Sequence, residues 1–351
     1  MTAISGPKVT LKRAGGTDRS RLYEWLIGSD LTANMMGGQM FPDHPITPPE
    51  RFAAQYPDWF YDGSRPYAGR MFIISARGED VGCISYGPID LLNDVVELDI
   101  WLAERRVAGQ GYGSEALIVL CDWLQVHYGV NRFLVRPSRR NVKALRAMRR
   151  AGFRETDLPA QEIVSKLDLP PGRYADELLL FRILPVPTGV FRVDPAQTYV
   201  FLDSEFTNLT TPQLISVGAV ATDQTAFYAE IEGWDPATTS PFVNETVMPL
   251  LDGDAVPREI GAEAFTEWLM ERARRTPTTI ISDSGFDRWA IAELLGNENL
   301  PVNVRWQRVP IAYEAMDEAT QRMNLRRHHA LDDARALRHL VLEARIPSRP
   351  V

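Results

Sequence analysis

The stretch Tyr199-Val-Phe-Leu-Asp-Ser-Glu-Phe206 constrains this chain most, because it sets two carboxylates inside an otherwise apolar run. Val200, Phe201 and Leu202 favour β structure, and a second apolar run, Leu214-Ile-Ser-Val-Gly-Ala-Val220, follows Pro212. Together they predict two strands joined by the polar turn Thr207 to Pro212. Residues two apart on a strand share a face, so Asp203 and Glu205 project together. Like charges side by side on a mostly buried strand are costly unless a cation or a proton compensates. A divalent metal ion is the usual compensation.

Two further carboxylates follow in the order such a site needs. Ile280-Ile-Ser-Asp-Ser-Gly-Phe-Asp287 reads as a strand end, a Gly turn and an Asp opening a helix. His328-His-Ala-Leu-Asp-Asp333 opens another helix, which runs on to Leu342. Asp-x-Glu, then Phe-Asp, then His-x4-Asp resembles the three ordered motifs of the DEDDh 3'–5' exonucleases, over residues 198–351. The resemblance implies an RNase H-like mixed sheet with helices on both faces. It also implies Asp203, Glu205, Asp287 and Asp333 as metal ligands and His328 as general base. Four carboxylates and no Cys suit two Mg2+ or Mn2+ ions rather than zinc. His328, not His329, keeps the five-residue spacing to Asp333. Asp332 is expected beside the ligands, and Asp283, where this motif often has Asn, near the metal or the substrate's 3' end without being a ligand. The spacing of 241–251 resembles a bacterial branch of exoribonucleases related to polyadenylate-specific ones. The implied partner is therefore the 3' end of a nucleic acid, RNA rather than DNA, and the product a nucleoside 5'-monophosphate.

The first half carries a different signature. A strand over 8–14 and a helix from Asp18 to Ile27 precede a Gly/Met/Pro-rich loop, Asn34 to Pro49, and an aromatic amphipathic segment, Phe52 to Tyr61. Strands at Arg70-Met-Phe-Ile-Ile-Ser-Ala, Asp80-Val-Gly-Cys-Ile-Ser-Tyr and Val95 to Leu102 are separated by short turns, which predicts an antiparallel meander. Ala108-Gly-Gln-Gly-Tyr-Gly-Ser-Glu115 then opens an apolar helix to Tyr128. Strand, glycine loop and helix aim backbone N–H groups and a helix N-terminus at phosphate. Asn131 to Asn141 gives another strand and a Pro/Ser turn, and the basic helix Val142 to Gly152 follows. This succession resembles the GNAT family of acetyl-CoA-dependent N-acetyltransferases across residues 8–184, nearest its aminoglycoside 6'-N-acetyltransferase-like and protein N-terminal acetyltransferase-like branches. The resemblance implies a mixed, mostly antiparallel sheet flanked by helices. Gly109, Gln110, Gly111, Tyr112, Gly113, Ser114 and Asn141 would hold acetyl-CoA, and the acceptor would be a small-molecule or peptide amine. Ala108 stands where the loop usually opens with Gln or Arg, with Arg105 and Arg106 close by. Met148 stands where a thiolate-protonating Tyr is common. Glu97 and Asp99, on one strand face with Trp101, are the candidate bases; the alternative is that they only attract a cationic amine.

At 351 residues the chain favours two α/β (α+β) domains. They are expected at 1–185 and 198–351, joined by a Pro-rich linker over 186–197. The formal net charge of −8 resides in the second half, where every Lys or Arg is Arg. An acidic domain is a poor general nucleic-acid binder, which weighs against a nuclease without excluding one, since an enzyme gripping only a few terminal nucleotides needs no broad basic patch. Neither a bilayer-spanning run nor a secretory leader is visible. The two cysteines, Cys83 and Cys121, lack metal-type spacing, and a reducing cytoplasm is expected. Three organisations remain open: a bifunctional transferase and nuclease, a nuclease with a non-catalytic coenzyme A-binding module, or a transferase with a nucleic-acid-binding appendage.

Overall fold

The computed structural model describes residues 3–156, 160–185, 194–296, 300–301 and 303–342. The chain divides into two compact units, residues 1–126 with 130–185, and residues 127–129 with 186–351. Positions 186–193 of the Pro-rich linker lie outside the described residues. No helix among the described residues is long and apolar enough to cross a membrane.

The first unit contains β1 (Ile4–Ser5), β2 (Thr10–Arg13), α1 (Arg19–Ile27), α2 (Pro49–Gln55), α3 (Trp59–Asp62), β3 (Arg70–Ala76), β4 (Glu79–Asp90) and β5 (Val95–Leu102). They are followed by α4 (Tyr112–Tyr128), β6 (Arg132–Val135), α5 (Val142–Arg150), β7 (Arg154–Glu155), α6 (Ala160–Lys166) and β8 (Leu180–Ile183). The strands form one sheet in the order β1-β2-β3-β4-β5-β6-β8-β7. Short turns make the early pairs antiparallel. The β3–β4 hairpin turns on Arg77 and Gly78, both at positive φ (51° and 83°), the conformation a tight two-residue hairpin requires. β5 and β6 are joined through α4, a crossover long enough to make their pairing parallel.

That parallel pair is short. It joins Val95–Glu97 to Arg132–Leu134, and β5 then continues to Leu102 without β6. Pro137, just beyond β6, has no N–H to extend the ladder. The two strands therefore part, and the gap lies directly before the glycine loop. One face of the sheet buries Leu22, Leu26, Phe52, Tyr56, Phe60, Met71, Ile73 and Trp101 together. The aromatic segment is thus mainly core. The short helix α6 is an element that the sequence pattern did not signal.

The second unit contains β9 (Thr198–Phe206), β10 (Leu214–Ala221), β11 (Ala226–Glu230), α7 (Arg258–Ala273), β12 (Thr278–Ser282), α8 (Gly285–Leu295), β13 (Val304–Arg308), α9 (Tyr313–Arg322) and α10 (Ala330–Leu342). The sheet order is β11-β10-β9-β12-β13. β9, β10 and β11 pair antiparallel, whereas β12 runs parallel to both β9 and β13. Alternation along β9 sets the two layers. Tyr199 and Phe201 pack with Met316, Ala334, Leu337 and Leu340 of α9 and α10. Val200 and Leu202 pack with Phe265, Leu269, Ala290 and Ile291 of α7 and α8. The strand β13, between α8 and α9, was not signalled by the sequence pattern. Its residues read as polar because only Trp306 is buried, as suits a strand at the sheet edge.

The start of α10 lies directly on β10. A Cβ added at Gly218 would come within 2.2 Å of the Leu331 backbone nitrogen, and Gly218 is paired in register with Asp203. This close approach brings the first turn of α10 to the end of β9. Gly218→Ala is therefore expected to destabilise the second unit by about 1–3 kcal/mol, the usual cost of overpacking. Urea unfolding checks this, and an unchanged midpoint would show that α10 does not depend on the contact.

Candidate functional site

In the first unit the gap between β5 and β6 leads into a cavity of about 480 Å3. Gly109, Gly111, Tyr112, Gly113 and Ser114 line it, with Asn141, Ala144, Ala147 and Met148 opposite. Gly109 and Gly111 have φ of 80° and 87°, which only glycine adopts readily. A side chain at Gly109 would meet nothing within 4 Å, and one at Gly111 would meet Lys8 Nζ at 3.6 Å, so a basic side chain stands at the loop. Asn141 caps α5 by accepting from Ala144 N at 3.1 Å, and Ser114 Oγ donates to Ala147 O at 2.9 Å, tying α4 to α5. Lys143, Arg146, Arg150 and Arg105 also line the cavity. They supply positive charge that the glycine motif alone did not reveal, although the basic pattern of α5 was its signal.

Three expected residues fall differently. Gln110 is exposed and does not line the cavity. Of the two arginines near Ala108, Arg105 lines the cavity, whereas Arg106 turns away to pair with Glu79 and Glu104 at 2.9 and 2.8 Å. Met148 is buried in the wall, where it has no proton to offer.

A smaller cavity, about 50 Å3, shares Met35, Ile100 and Trp101 with the first. Asp99 lies in its wall, but not as a free carboxylate. Arg173 donates to it at 2.6 Å and Tyr56 OH at 2.8 Å. Burial alone would raise its pKa; Arg173 more than offsets this and holds it below the usual carboxylate value. Glu97 is the opposite case: burial, with Asp99 and Glu177 adding to it, raises its pKa against the pull of Arg173 and Arg136. Asp99 as an unencumbered base is thus corrected by its ion pair, and Glu97 is the carboxylate nearer a useful pKa. Arg173 and Tyr56 were not foreseen, since one lies in a loop far along the chain and the other in a segment dominated by core aromatics.

In the second unit β9, β12, α8 and α10 gather the acidic residues. Asp203, Asp283 and Asp287 each offer an oxygen within 4.8 Å of one another, and Glu205, His328 and Asp333 form a second such trio. Asp283, expected near the metal or the substrate's 3' end without being a ligand, thus stands within reach of Asp203 and Asp287. It follows directly on β12, at the turn into α8. Ser284 caps α8, and Asp287 is buried on that helix's first turn, accepting from Ser204 Oγ at 2.8 Å. His328 takes φ of 66° and its N–H donates to Asp333 Oδ2 at 3.0 Å. Its Nε2 is 3.3 Å from Tyr313 OH, and Phe242, from the 241–251 segment, stands edge-on 5.0 Å away. His329 points elsewhere, stacked on Tyr228 at 4.6 Å. Asp332 does not adjoin the ligands either: it pairs with Arg326 and Arg335, both at 2.8 Å.

The electrostatics of this cluster test whether it fits divalent ions. Burial, followed by the charges of Asp287, Asp333, Glu205 and Asp283, raises Asp203 well above the carboxylate range. Burial and Asp333 push Glu205 up to about 8. Asp333 is pushed up to about 6 by burial, although Arg327 pairs with it and works in the opposite direction. Its Oδ1 is buried without a hydrogen-bond partner. An all-oxygen set with an orphaned acceptor and more negative charge than one arginine can balance fits Mg2+ or Mn2+.

Raised carboxyl pKa values mean that the metal-free folded state binds protons the unfolded chain has released. Glu205, with an ordinary value of 4.5 and a folded value of about 8, contributes stability that is present at low pH and lost as pH rises through that window. In chelator, the melting temperature is expected to fall from pH 5 to pH 8, and Glu205→Gln to flatten the profile. Mn2+ should raise it more at pH 8 than at pH 5. An equal effect of Mn2+ at both values would show that these carboxyls do not carry the coupling.

Residues 8–154 match the family model described as an acetyltransferase (GNAT) domain. No curated protein matches the chain. Among solved structures, an acetyltransferase that modifies the N-terminal serine of ribosomal protein L7/L12, from Salmonella typhimurium, is 20% identical with a TM-score of 0.40, over 52% of this chain and 100% of its own. The aminoglycoside acetyltransferase AAC(6')-Ib bound to paromomycin and acetyl-CoA is 19% identical with a TM-score of 0.38, over 50% and 93%. The microcin C7 self-immunity acetyltransferase MccE, bound to acetyl-CoA and AMP, is 16% identical with a TM-score of 0.37, over 51% and 94%. The glycine loop, the parted strands and the family match agree: residues 8–154 carry a GNAT acetyltransferase domain.

Proposed function

We propose that this chain joins an acetyl-CoA-dependent N-acetyltransferase, residues 1–185, to a metal-dependent 3'–5' exonuclease, residues 198–351. The observation that supports the first half best is the cleft left by the short β5–β6 pairing, bordered by glycine amides and basic side chains. Gly109, Gly111 and Gly113 and the α4 N-terminus would receive the pyrophosphate, with Lys143 and Arg146 offering charge to further phosphate. Acetyl-CoA, when bound, would supply the thioester whose acyl carbon–sulfur bond breaks as the amine nitrogen bonds to that carbon. Glu97, directly or through water, would take the proton released by the nitrogen. Arg173 and Tyr56 hold Asp99 in place beside it.

A second reading is favoured by one observation. Met148 has no proton to give, and the Ser114 hydroxyl is committed to Ala147 O. Neither Met148 nor Ser114 thus offers a proton to a leaving thiolate, which suits a coenzyme A-binding module of low turnover unless Tyr112, which also lines the cavity, supplies it. Calorimetry on the full chain separates the possibilities. Acetyl-CoA should bind and raise the melting temperature, and Gly111→Asp should abolish both through charge and bulk. No binding to the unaltered protein would sink both readings; binding without release of thiol in the presence of amines would leave the second.

For the other half, the supporting observation is the convergence of Asp203, Glu205, Asp283, Asp287 and Asp333 with His328. The sheet order with its antiparallel β9–β11 and parallel β12 and β13, covered on both faces, supports an RNase H-like reading. Two Mg2+ or Mn2+ ions, when bound by these carboxylates, would acidify an attacking water and stabilise the leaving 3' oxygen. Burial and Arg327 lower the pKa of His328, so the imidazole is neutral near pH 7 and able to accept a proton. Tyr313 and Phe242 bracket that ring and present aromatic surface on which a terminal base would stack. RNA is favoured over DNA on the resemblance to exoribonucleases. His328→Ala should slow 3'-end hydrolysis by roughly 10²–10⁴-fold while Mn2+ binding persists. His329→Ala should cost far less. Asp203→Ala or Asp333→Ala should remove nearly all cleavage. Single-stranded RNA and DNA labelled at the 5' end read the outcome; a preparation that binds Mn2+ and shortens neither would overturn this half.

A further inference from the structure

The smaller cavity of the first unit has a charge pattern that limits what can enter it. Its charged lining residues are Asp99, Arg173 and Arg51. Asp99 is already neutralised by Arg173 at 2.6 Å and satisfied by Tyr56 at 2.8 Å. Arg51, on α2, is exposed, and among the described residues no hydrogen bond or ion pair engages it. His44 lines the same cavity. Burial, then Arg173 and Arg51, lower its pKa, so both guanidiniums act on the same small space and disfavour the charged imidazolium. An incoming molecule therefore meets one uncompensated cation and no uncompensated anion on this wall.

The loop that carries Arg173 is held in position. Arg140 clamps two loops together, bonding Asp43 at 2.7 Å and Asp176 at 2.9 Å. Ala175 N donates to Asp43 Oδ2 at 3.1 Å, and Tyr174 packs on Phe41 and His44 at 5.7 and 4.7 Å. Arg173 thus projects from a fixed loop, and Arg51 from the first turn of α2, next to the buried Phe52. A guanidinium recognises carboxylate or phosphate through paired, charge-assisted hydrogen bonds. A polycation, by contrast, would be repelled by Arg51 and would have to displace Arg173 from Asp99.

Resting on the acetyltransferase reading, we propose that the acceptor is an amine that also bears an anionic group, a carboxylate or a phosphate, which Arg51 engages with the support of Arg173. The nitrogen would lie towards Glu97 and lose its proton as the acyl C–S bond is exchanged for C–N; the thiolate leaves and takes a proton from water. Arg51 is a specificity-determining residue in this arrangement and takes no part in the bond exchange.

The test uses the full chain with acetyl-CoA, following thiol release with matched amines. The pairs are alanyl-alanine and its C-terminal amide, and O-phosphoethanolamine and ethanolamine, with spermidine and kanamycin as polycations. The anionic member of at least one pair should have a kcat/KM about 10-fold above its neutral partner, the value of one charge-assisted hydrogen bond. Which pair shows it distinguishes carboxylate from phosphate. Arg51→Gln should erase that preference while leaving the KM for acetyl-CoA unchanged, and Arg51→Lys should restore part of it. Equal rates within both pairs, faster turnover of the polycations, or no turnover of either anionic amine by a protein that binds acetyl-CoA would each overturn the proposal. Failure to bind acetyl-CoA would instead overturn the acetyltransferase reading on which it rests.

Discussion

Crowding of negative charge at one end of a buried strand is the constraint around which the second unit is arranged. β9 places Asp203 and Glu205 on the face continued from Tyr199 and Phe201, and that face is covered by α10. Asp333 arrives on α10, Asp287 on α8 and Asp283 at the turn between β12 and α8. Every one of these carboxyls has its pKa raised. The fold therefore tolerates the cluster by holding protons or a cation, and Arg327 alone, shared between Asp317 and Asp333, does not balance it.

The first unit meets a geometric constraint instead. Its β5 and β6 must pair in parallel because a helix joins them, and the pairing ends at Glu97. Beyond Glu97, β5 continues without β6, and its Ile100, Trp101 and Leu102 line the cavity. Glycines at positive φ form its mouth, so the backbone rather than side chains presents the hydrogen-bond donors. The acidic residues on the same strand are treated in opposite ways. Asp99 is bound by a guanidinium and a phenol, and Glu97 is left with a raised pKa.

Arginine serves a common purpose in both units, as an internal counter-charge. Arg173 neutralises Asp99, Arg140 bridges Asp43 and Asp176, and Arg327 bridges Asp317 and Asp333. A rigid, multi-donor guanidinium can satisfy two carboxylates at once, which a lysine ammonium does less well. This accounts for a second half that is acidic overall yet draws all its positive charge from Arg.

The sequence alone determined the elements that follow from local periodicity and from residues with one dominant conformational role. The meander, the glycine loop, the apolar strands and the helix starts at Asp287 and Asp333 were legible for that reason. The five-residue spacing of His328 from Asp333 was legible as well, and His328 rather than His329 lies within reach of Glu205 and Asp333. What depends on approach between distant segments was not legible. Asp283 could be assigned to the acidic cluster only once β12 lay beside β9, since an aspartate in a turn is ordinarily solvated. Asp332, next in sequence to Asp333, pairs instead with Arg326 and Arg335. The Arg173–Asp99 pair spans loops and strands that no periodicity links. β13 stayed hidden because an edge strand buries only one side chain here, Trp306. Local conformational preference is written into neighbouring residues, whereas the charge around a given carboxylate is set by whichever segments the tertiary fold packs against it.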